Sequence, residues 1–232
     1  MRGIDVSAYQ TSIDYKNTGV NFAILRAGYG KLSSQKDKLF DTHYNGFKNA
    51  GIPVGAYWYS YAMSEDEARQ EAKACIEVLK NTKLEYPVYY DVEEKKQYSL
   101  GKTKVTAIIK AFCDELERAG YWVGIYTNTS WYNSVIDASI KNRYALWIAH
   151  WNVSKPGITD SYGIWQYSVG KQNGVAGDCD LDYGYVDYPD LIKKSGKNNW
   201  GPWEPKQITV TMTVGGVKYV GTLFEAKYDF SK

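Results

Sequence analysis

Tyr90-Asp91-Val92-Glu93-Glu94 sets three carboxylates at the end of an apolar run that begins near Leu84. Val88, Tyr89, Tyr90 and Val92 are strand formers. Pro87 suits the start of a strand, where no ladder donor is needed. Side chains alternate along a strand, so Asp91 and Glu93 point to one face and Glu94 to the other. Two residues of rise separate the Asp91 and Glu93 Cα atoms by roughly 6.5 Å. Carboxyl groups that share one site push their pKa values apart, and one can stay protonated near neutral pH. An acid beside an ionised partner is what glycosidic bond cleavage requires. An isolated D-x-E also describes a solvated strand end, so the rest of the chain must supply the other parts of a site.

Composition narrows the classes. The 232 residues suffice for one sizeable core, or a core plus an appendage. The formal net charge of +2 is too small to argue for nucleic acid. The 22 Tyr and 8 Trp suit both core packing and stacking on sugar faces. His43 and His150 are too far apart for metal-ligand spacing, and both read as structural or exposed. Cys75, Cys113 and Cys179 form neither a disulfide framework nor a zinc pattern. Cys75 and Cys113 fall on apolar helix faces and read as buried free thiols. No metal or cofactor is expected. Met1 to Val6 runs straight into a strand pattern without the apolar core of a signal peptide. No run approaches the ~20 apolar residues of a membrane span. Synthesis in the cytoplasm is therefore expected, with no membrane insertion.

The elements that would position the carboxylates follow in order. Strands are expected at 3–9, 22–30, 52–61 and 84–94, then at 121–127, 144–151, 163–168 and 178–185. Phe40, Tyr44, Phe47 and Ala50 recur at helical spacing, with Gly51 as a C-terminal stop. Ser64-Glu65-Asp66-Glu67 is a capping-box signature ahead of Ala68, Ala72, Cys75, Ile76 and Leu79. Val105, Ile108, Ile109, Phe112 and Leu116 form another apolar stripe, stopped by Gly120. Short helices are also expected between Gln10 and Gly19 and between Ser130 and Ile140. No helical periodicity separates the last three strands. Five strand–helix units and three further strands predict an α/β barrel. Working residues of such barrels sit at the C-terminal ends of the strands. Asp5, Asp91, Glu93 and Asp180 should then meet at one mouth.

At this point the residues carry a family likeness. The chain resembles the glycoside hydrolase family 25 lysozymes, the N-acetylmuramidases of bacteria, phages and fungi. The likeness covers Gly3 to about Tyr188. It rests on Gly3-Ile4-Asp5-Val6-Ser7, Phe22-Ala23-Ile24-Leu25-Arg26-Ala27, Gly55-Ala56-Tyr57 and Tyr90-Asp91-Val92-Glu93. It continues in Gly124-Ile125-Tyr126-Thr127, Leu146-Trp147-Ile148-Ala149, Ile164-Trp165-Gln166-Tyr167 and Gly177-Asp178-Cys179-Asp180-Leu181-Asp182. The likeness implies a flattened (β/α)5β3 TIM-like barrel that cleaves the β-1,4 bond between N-acetylmuramic acid and N-acetylglucosamine in peptidoglycan, in the manner of an endolysin acting on the bacterial wall. Release would follow host lysis or a non-classical route. Cys179 departs from the family's usual aliphatic residue, and Tyr57-Trp58-Tyr59 is more aromatic than its commoner pattern.

The likeness matches Glu93 to the general acid/base, Asp91 to its supporting carboxylate, and Asp5 and Asp180 to flanking acids. Asp91 has two readings: a direct nucleophile, or a group that orients the substrate's own acetamido for attack on the anomeric carbon. Net retention is expected from the close Asp91–Glu93 spacing. Asp182 shares a face with Asp180 by alternation, and the family spacing favours Asp180. Tyr57, Tyr59, Tyr126, Trp147, Trp165 and Gln166 fall late in expected strands and read as substrate-binding. Two rivals stand beside the muramidase reading. A chitinase-like barrel would carry a longer D-x-x-D-x-D-x-E run, yet Tyr89 stands two before Asp91. A silent glycan-binding barrel would have little need of Asp91 and Glu93.

The tail differs in pattern. Residues 1–192 read as the catalytic barrel and 193–199 as a linker. Residues 200–232 read as a β-hairpin with its turn at Gly215-Gly216. Ile208, Val210, Met212 and Val214 alternate with Thr. A lone two-stranded hairpin is marginal in water, so it should lie on something. Self-association of two or more chains is expected, with wall anchoring through Trp200 and Trp203 second and docking on its own barrel third.

Overall fold

A computed structural model describes residues 1–202, 207–214 and 217–224. Eight strands close a barrel in sequence order. They are β1 (Arg2–Val6), β2 (Phe22–Tyr29), β3 (Val54–Tyr59), β4 (Val88–Asp91), β5 (Val123–Asn128), β6 (Ala145–Ala149), β7 (Ile164–Lys171) and β8 (Asp178–Gly184). Strands β1 to β7 run parallel. β8 runs antiparallel to both β7 and β1, which makes the barrel mixed where an all-parallel one is the simpler expectation. Asp180 therefore reaches the mouth from near the beginning of its strand, paired with Asp5.

Helices α1 (Phe40–Asn49), α2 (Glu65–Leu79), α3 (Lys95–Tyr98), α4 (Gly101–Arg118), α5 (Thr129–Ser134) and α6 (Ala138–Lys141) occupy the connections from β2 to β6. The β1–β2 connection carries only a 3-10 turn, Tyr15–Asn17. The β6–β7 connection has no helix, as the missing periodicity foretold. α2 starts where the capping signature puts it, with Ser64 Oγ accepting from the Glu67 N–H at 3.3 Å. The Glu67 carboxylate reaches back to the Met63 N–H at 2.7 Å.

Strand alternation divides the core in two. Ile4, Val6, Leu25, Ala56, Tyr90 and Ile125 face the surrounding helices. Phe22, Ile24, Tyr86, Tyr89, Tyr126, Trp147 and Tyr188 fill the barrel itself. Their rings need space that glycines supply. A Cβ at Gly3 would lie 2.3 Å from the Phe22 ring, and one at Gly124 would lie 2.5 Å from Tyr89. Cys75, Cys113 and Cys179 are free and buried.

The segment 193–199 is not a linker. α7 (Tyr188–Ser195) runs through its first residues and ends on Gly196 in the left-handed region at φ 73°. Asn198 is fully buried under the N-terminal ends of the strands. Its side chain accepts from Trp122 N at 2.8 Å and donates to Tyr86 O at 2.9 Å and Leu84 O at 3.3 Å. Asn199 Nδ2 donates to Thr82 O at 2.8 Å. Trp200 docks on this barrel's floor, donating to Leu84 O at 2.9 Å. The ammonium groups of Lys48, Lys83 and Lys193 lie 5.4, 5.5 and 4.9 Å from its ring centre. Beyond it, β9 (Gln207–Val214) and β10 (Val217–Phe224) pair antiparallel in a separate two-stranded sheet. Gly215-Gly216, Trp203 and Pro205 lie outside the described residues. No helix among the described residues is long and apolar enough to cross a membrane.

Candidate active site

The barrel's mouth opens into a cavity of about 600 Å³ lined by Asp5, Asp91, Glu93 and Asp180 together with Tyr57, Tyr59, Tyr126, Trp147 and Gln166. Every expected site residue but one is therefore brought together. The exception is Trp165. It neighbours Gln166 on β7, so the two cannot both face inward. Trp165 lies in the outer core, packs edge-on to Tyr167 and tilted against Tyr183, and donates its indole N–H to His150 O at 2.9 Å. Glu93 also differs in local structure. β4 ends at Asp91, and Glu93 stands in the loop just beyond it.

Burial governs the electrostatics. Asp91 is held well above its ordinary value by burial and by the neighbouring charge of Glu93, while the Arg26 guanidinium pulls it down. Glu93 is raised by burial and by Asp180. Burial pushes Asp180 up to about 6. Asp5 is raised by burial, then by Asp182 and Asp180, against the lowering effect of Gln166. Each of these carboxyls is raised, so burial and mutual repulsion favour protonated over ionised forms within the mouth. They titrate as a linked set rather than one by one.

Hydrogen bonds fix the set. Gln166 Nε2 donates to Asp5 Oδ2 at 2.8 Å. Gln166 Oε1 accepts from Tyr126 OH at 2.9 Å and from Trp151 Nε1 at 3.1 Å. Trp147 Nε1 donates to Asp182 Oδ1 at 2.8 Å. Asp91 Oδ1 is buried with no hydrogen-bond partner among the described residues. It is a free acceptor at the head of β4.

Arg26, Asp182 and the outer tyrosines were not foreseen as parts of the site. Arg26 Nε bonds Asp37 Oδ2 at 2.7 Å, and Asp37 in turn accepts from the N–H groups of Ala8 and Leu39. The guanidinium also lies 5.2 Å from the Tyr9 ring centre and 5.9 Å from that of Tyr29. Tyr9, Tyr29 and Tyr61 extend the cavity wall outward. Asp182 sits deeper than Asp180, opposite Gly3 and fully buried, and burial pushes it up to about 8. Alternation already put it on the Asp180 face, and its depth follows from the Gly3 register. Behind the wall, Glu71 is fully buried and accepts from Tyr90 OH at 2.6 Å and from Tyr61 N at 2.8 Å. Gln97 Nε2 donates to Ser60 Oγ at 2.7 Å and Ala62 O at 2.9 Å. This network ties the loop that carries Tyr61 to the segment that follows Glu93. His43 is structural: its Nε2 donates to Ser7 O at 3.0 Å, leaving Nδ1 to accept from Tyr15 OH.

Comparisons with known proteins bear on the family and the fold. The family profile "Glycosyl hydrolases family 25" matches residues 4–175. The chain is 33% identical to "Autolytic lysozyme" of Clostridium acetobutylicum over 186 residues, covering 78% of this chain and 55% of that protein. It is 30% identical to "Lysozyme M1" of Streptomyces globisporus, over 78% of this chain and 66% of that protein. The chain thus spans between about half and two thirds of the length of these relatives. The solved bacterial lysozyme from Streptomyces coelicolor superposes with a TM-score of 0.72 at 29% identity, covering 87% of this chain and 98% of that one. The CTP1L endolysin superposes with a TM-score of 0.73 at 26% identity, covering 83% of this chain and 69% of that one. The profile match over most of the barrel, on a mouth with these carboxylates, shows that the chain belongs to the glycosyl hydrolases family 25.

Proposed function

We propose that this chain hydrolyses the β-1,4 bond between N-acetylmuramic acid and N-acetylglucosamine in bacterial peptidoglycan. The observation that carries the reading is the meeting of Glu93 and Asp91 with Asp5 and Asp180 in one cavity of a family 25 barrel. Glu93, raised by burial, donates its proton to the glycosidic oxygen as the bond to the anomeric carbon breaks. The carbonyl oxygen of the muramic acid's own acetamido closes on that carbon. Asp91, with Oδ1 free to accept, orients and polarises the acetamido N–H. Water, deprotonated by Glu93, then opens the cyclic intermediate with net retention. Asp5, buried, and Asp180, partly exposed, set carboxyls around the developing positive charge. Tyr57, Tyr59, Tyr126 and Trp147 wall the sugar.

Relatives named lysozyme and N,O-diacetylmuramidase favour the muramidase over the chitinase-like reading. Turbidity loss of purified Gram-positive walls, run beside a soluble chitin oligomer, tests the choice. Clearing of walls without chitin cleavage is expected. Chitin cleavage without clearing would overturn the proposal. The hairpin is proposed to mediate self-association: Thr209, Thr211, Met212 and Thr213 are exposed along β9, and the sheet has two strands among the described residues. Light scattering of the whole chain against one cut after Pro202 tests this, with a monomeric full-length chain as the contrary result.

A further inference from the structure

A second cavity of about 560 Å³ adjoins the first and shares Glu93, Tyr126 and Gln166 with it. Its remaining wall is chemically unlike the acid mouth. Asn128, Thr129, Ser130, Asn133, His150 and Trp151 bring amides, hydroxyls and an indole, and no carboxylate besides Glu93. Trp151 is the unusual member. It is 44% exposed in the β6–β7 connection, which has no helix. Its exposed ring is nevertheless anchored, because the indole N–H is spent on Gln166 Oε1 at 3.1 Å. Large exposed aromatics held by their polar edge present a fixed apolar face at small entropic cost. The neighbouring backbone is fixed as well: His150 N donates to Gln166 O at 3.1 Å, and the Gly157 N–H donates to His150 Nδ1 at 3.1 Å.

The position of Glu93 orients the glycan. A general acid that protonates the glycosidic oxygen must stand between the sugar whose anomeric carbon reacts and the sugar that leaves. Asp91, Asp5 and Asp180 stabilise the reacting sugar and lie only in the first cavity. The leaving sugar must then lie on the other side of Glu93. We propose that the second cavity is the leaving-sugar site, with Trp151 as the platform on which the departing N-acetylglucosamine stacks. The glycan accordingly crosses the mouth with its non-reducing end toward Tyr9, Tyr29 and Tyr61 and its reducing end toward Trp151. This rests on the muramidase reading above. The Trp151–Gln166–Asp5 chain of hydrogen bonds also links occupancy of this platform to the acid side of the mouth.

The test compares two soluble substrates that share the reacting N-acetylmuramic acid. One releases N-acetylglucosamine, and the other releases a small aryl alcohol such as 4-methylumbelliferone. Trp151→Ala should lower the ratio of kcat/KM for the sugar-leaving over the aryl-leaving substrate by about tenfold, the scale of one lost aromatic contact. Trp151→Phe, which keeps a ring, should restore most of that ratio. An unchanged ratio in Trp151→Ala, whether both rates fall together or neither falls, would overturn the assignment, because a packing role alone lowers both. Wild-type protein inactive on both substrates would instead overturn the muramidase reading, and this assignment with it.

Discussion

At the mouth of the barrel, Asp5, Asp91 and Asp182 are buried, and Oδ1 of Asp91 and Oδ2 of Asp182 find no partner among the described residues. At the floor, Asn198 is buried just as deeply, but its amide is satisfied on both sides by Trp122 N, Tyr86 O and Leu84 O. Both ends bury polar groups under the same strands. The floor matches each donor to an acceptor, while the mouth gathers like-charged acceptors around one cavity. An unpaired buried polar group costs about 1–3 kcal/mol, more if charged. The mouth is therefore held in place by the rest of the fold, and the unmet Oδ1 belongs to Asp91, which lines the cavity, whereas Asp182 lies buried behind it. Strain of this kind is expected at functional sites and is offset elsewhere in the molecule.

The largest effect that separates the two ends is catalytic. Glu93→Gln keeps the side chain's size and removes the transferable proton. Wall clearing should fall roughly 10²–10⁴-fold while the thermal unfolding curve stays close to the wild type. Activity that survives would move the acid elsewhere in the mouth. Next in size is the floor. Asn198→Ala strands Trp122 N, Tyr86 O and Leu84 O and puts alanine at φ 54°, where asparagine is tolerated. A loss of about 3 kcal/mol in chemical denaturation is expected, with kcat on soluble fragments little changed at low temperature. A loss under 1 kcal/mol would make the floor no better satisfied than the mouth.

The smallest effect sharpens the contrast through pH. The carboxyl of Asp182 rises from the ordinary 3.8 to about 8 in the folded chain. A raised carboxyl contributes stability that is fully present below its unfolded value and is lost as pH rises through the folded one. Ionised Asp182 is then a burden above pH 8 and neutral in effect in acid. Asp182→Asn can still accept from Trp147 Nε1. It should raise stability at pH 9 by on the order of 2 kcal/mol, with the gain fading toward pH 5. Equal melting shifts at both pH values would mean that charge burial is not the cause.

Much of this site was legible before any coordinates. Asp91 was readable as a strand-end carboxylate, and Asp5 and Asp180 because strands of a barrel converge on one mouth; Glu93 lines the same cavity from the loop beyond β4, where alternation no longer applies. Trp165 was misread although the same rule applied: it is adjacent to Gln166, and only one of the two can face in. The depth of Asp182 depends on the antiparallel register with β1, which no periodicity reports. Arg26 lies mid-strand among apolar residues and is drawn to the mouth by Asp37, a partner eleven residues on. Trp151 sits in a connection without period, where local pattern carries no information. In sequence Asn198 and Asn199 read as linker, because polar residues near glycine look solvated. Their left-handed φ of 54° and 66° is instead what aims their amides at the strand ends.

The measurement nearest the central claim is the identity of the new reducing ends. Purified peptidoglycan digested with the chain, reduced with borohydride and hydrolysed in acid, which also removes the N-acetyl groups, should yield muramitol as the newly formed sugar alcohol, absent from a Glu93→Gln digest. Glucosaminitol in its place would show cleavage of the other glycosidic bond and would contradict the assignment of Glu93, Asp91 and the acetamido-bearing muramic acid to one reaction centre.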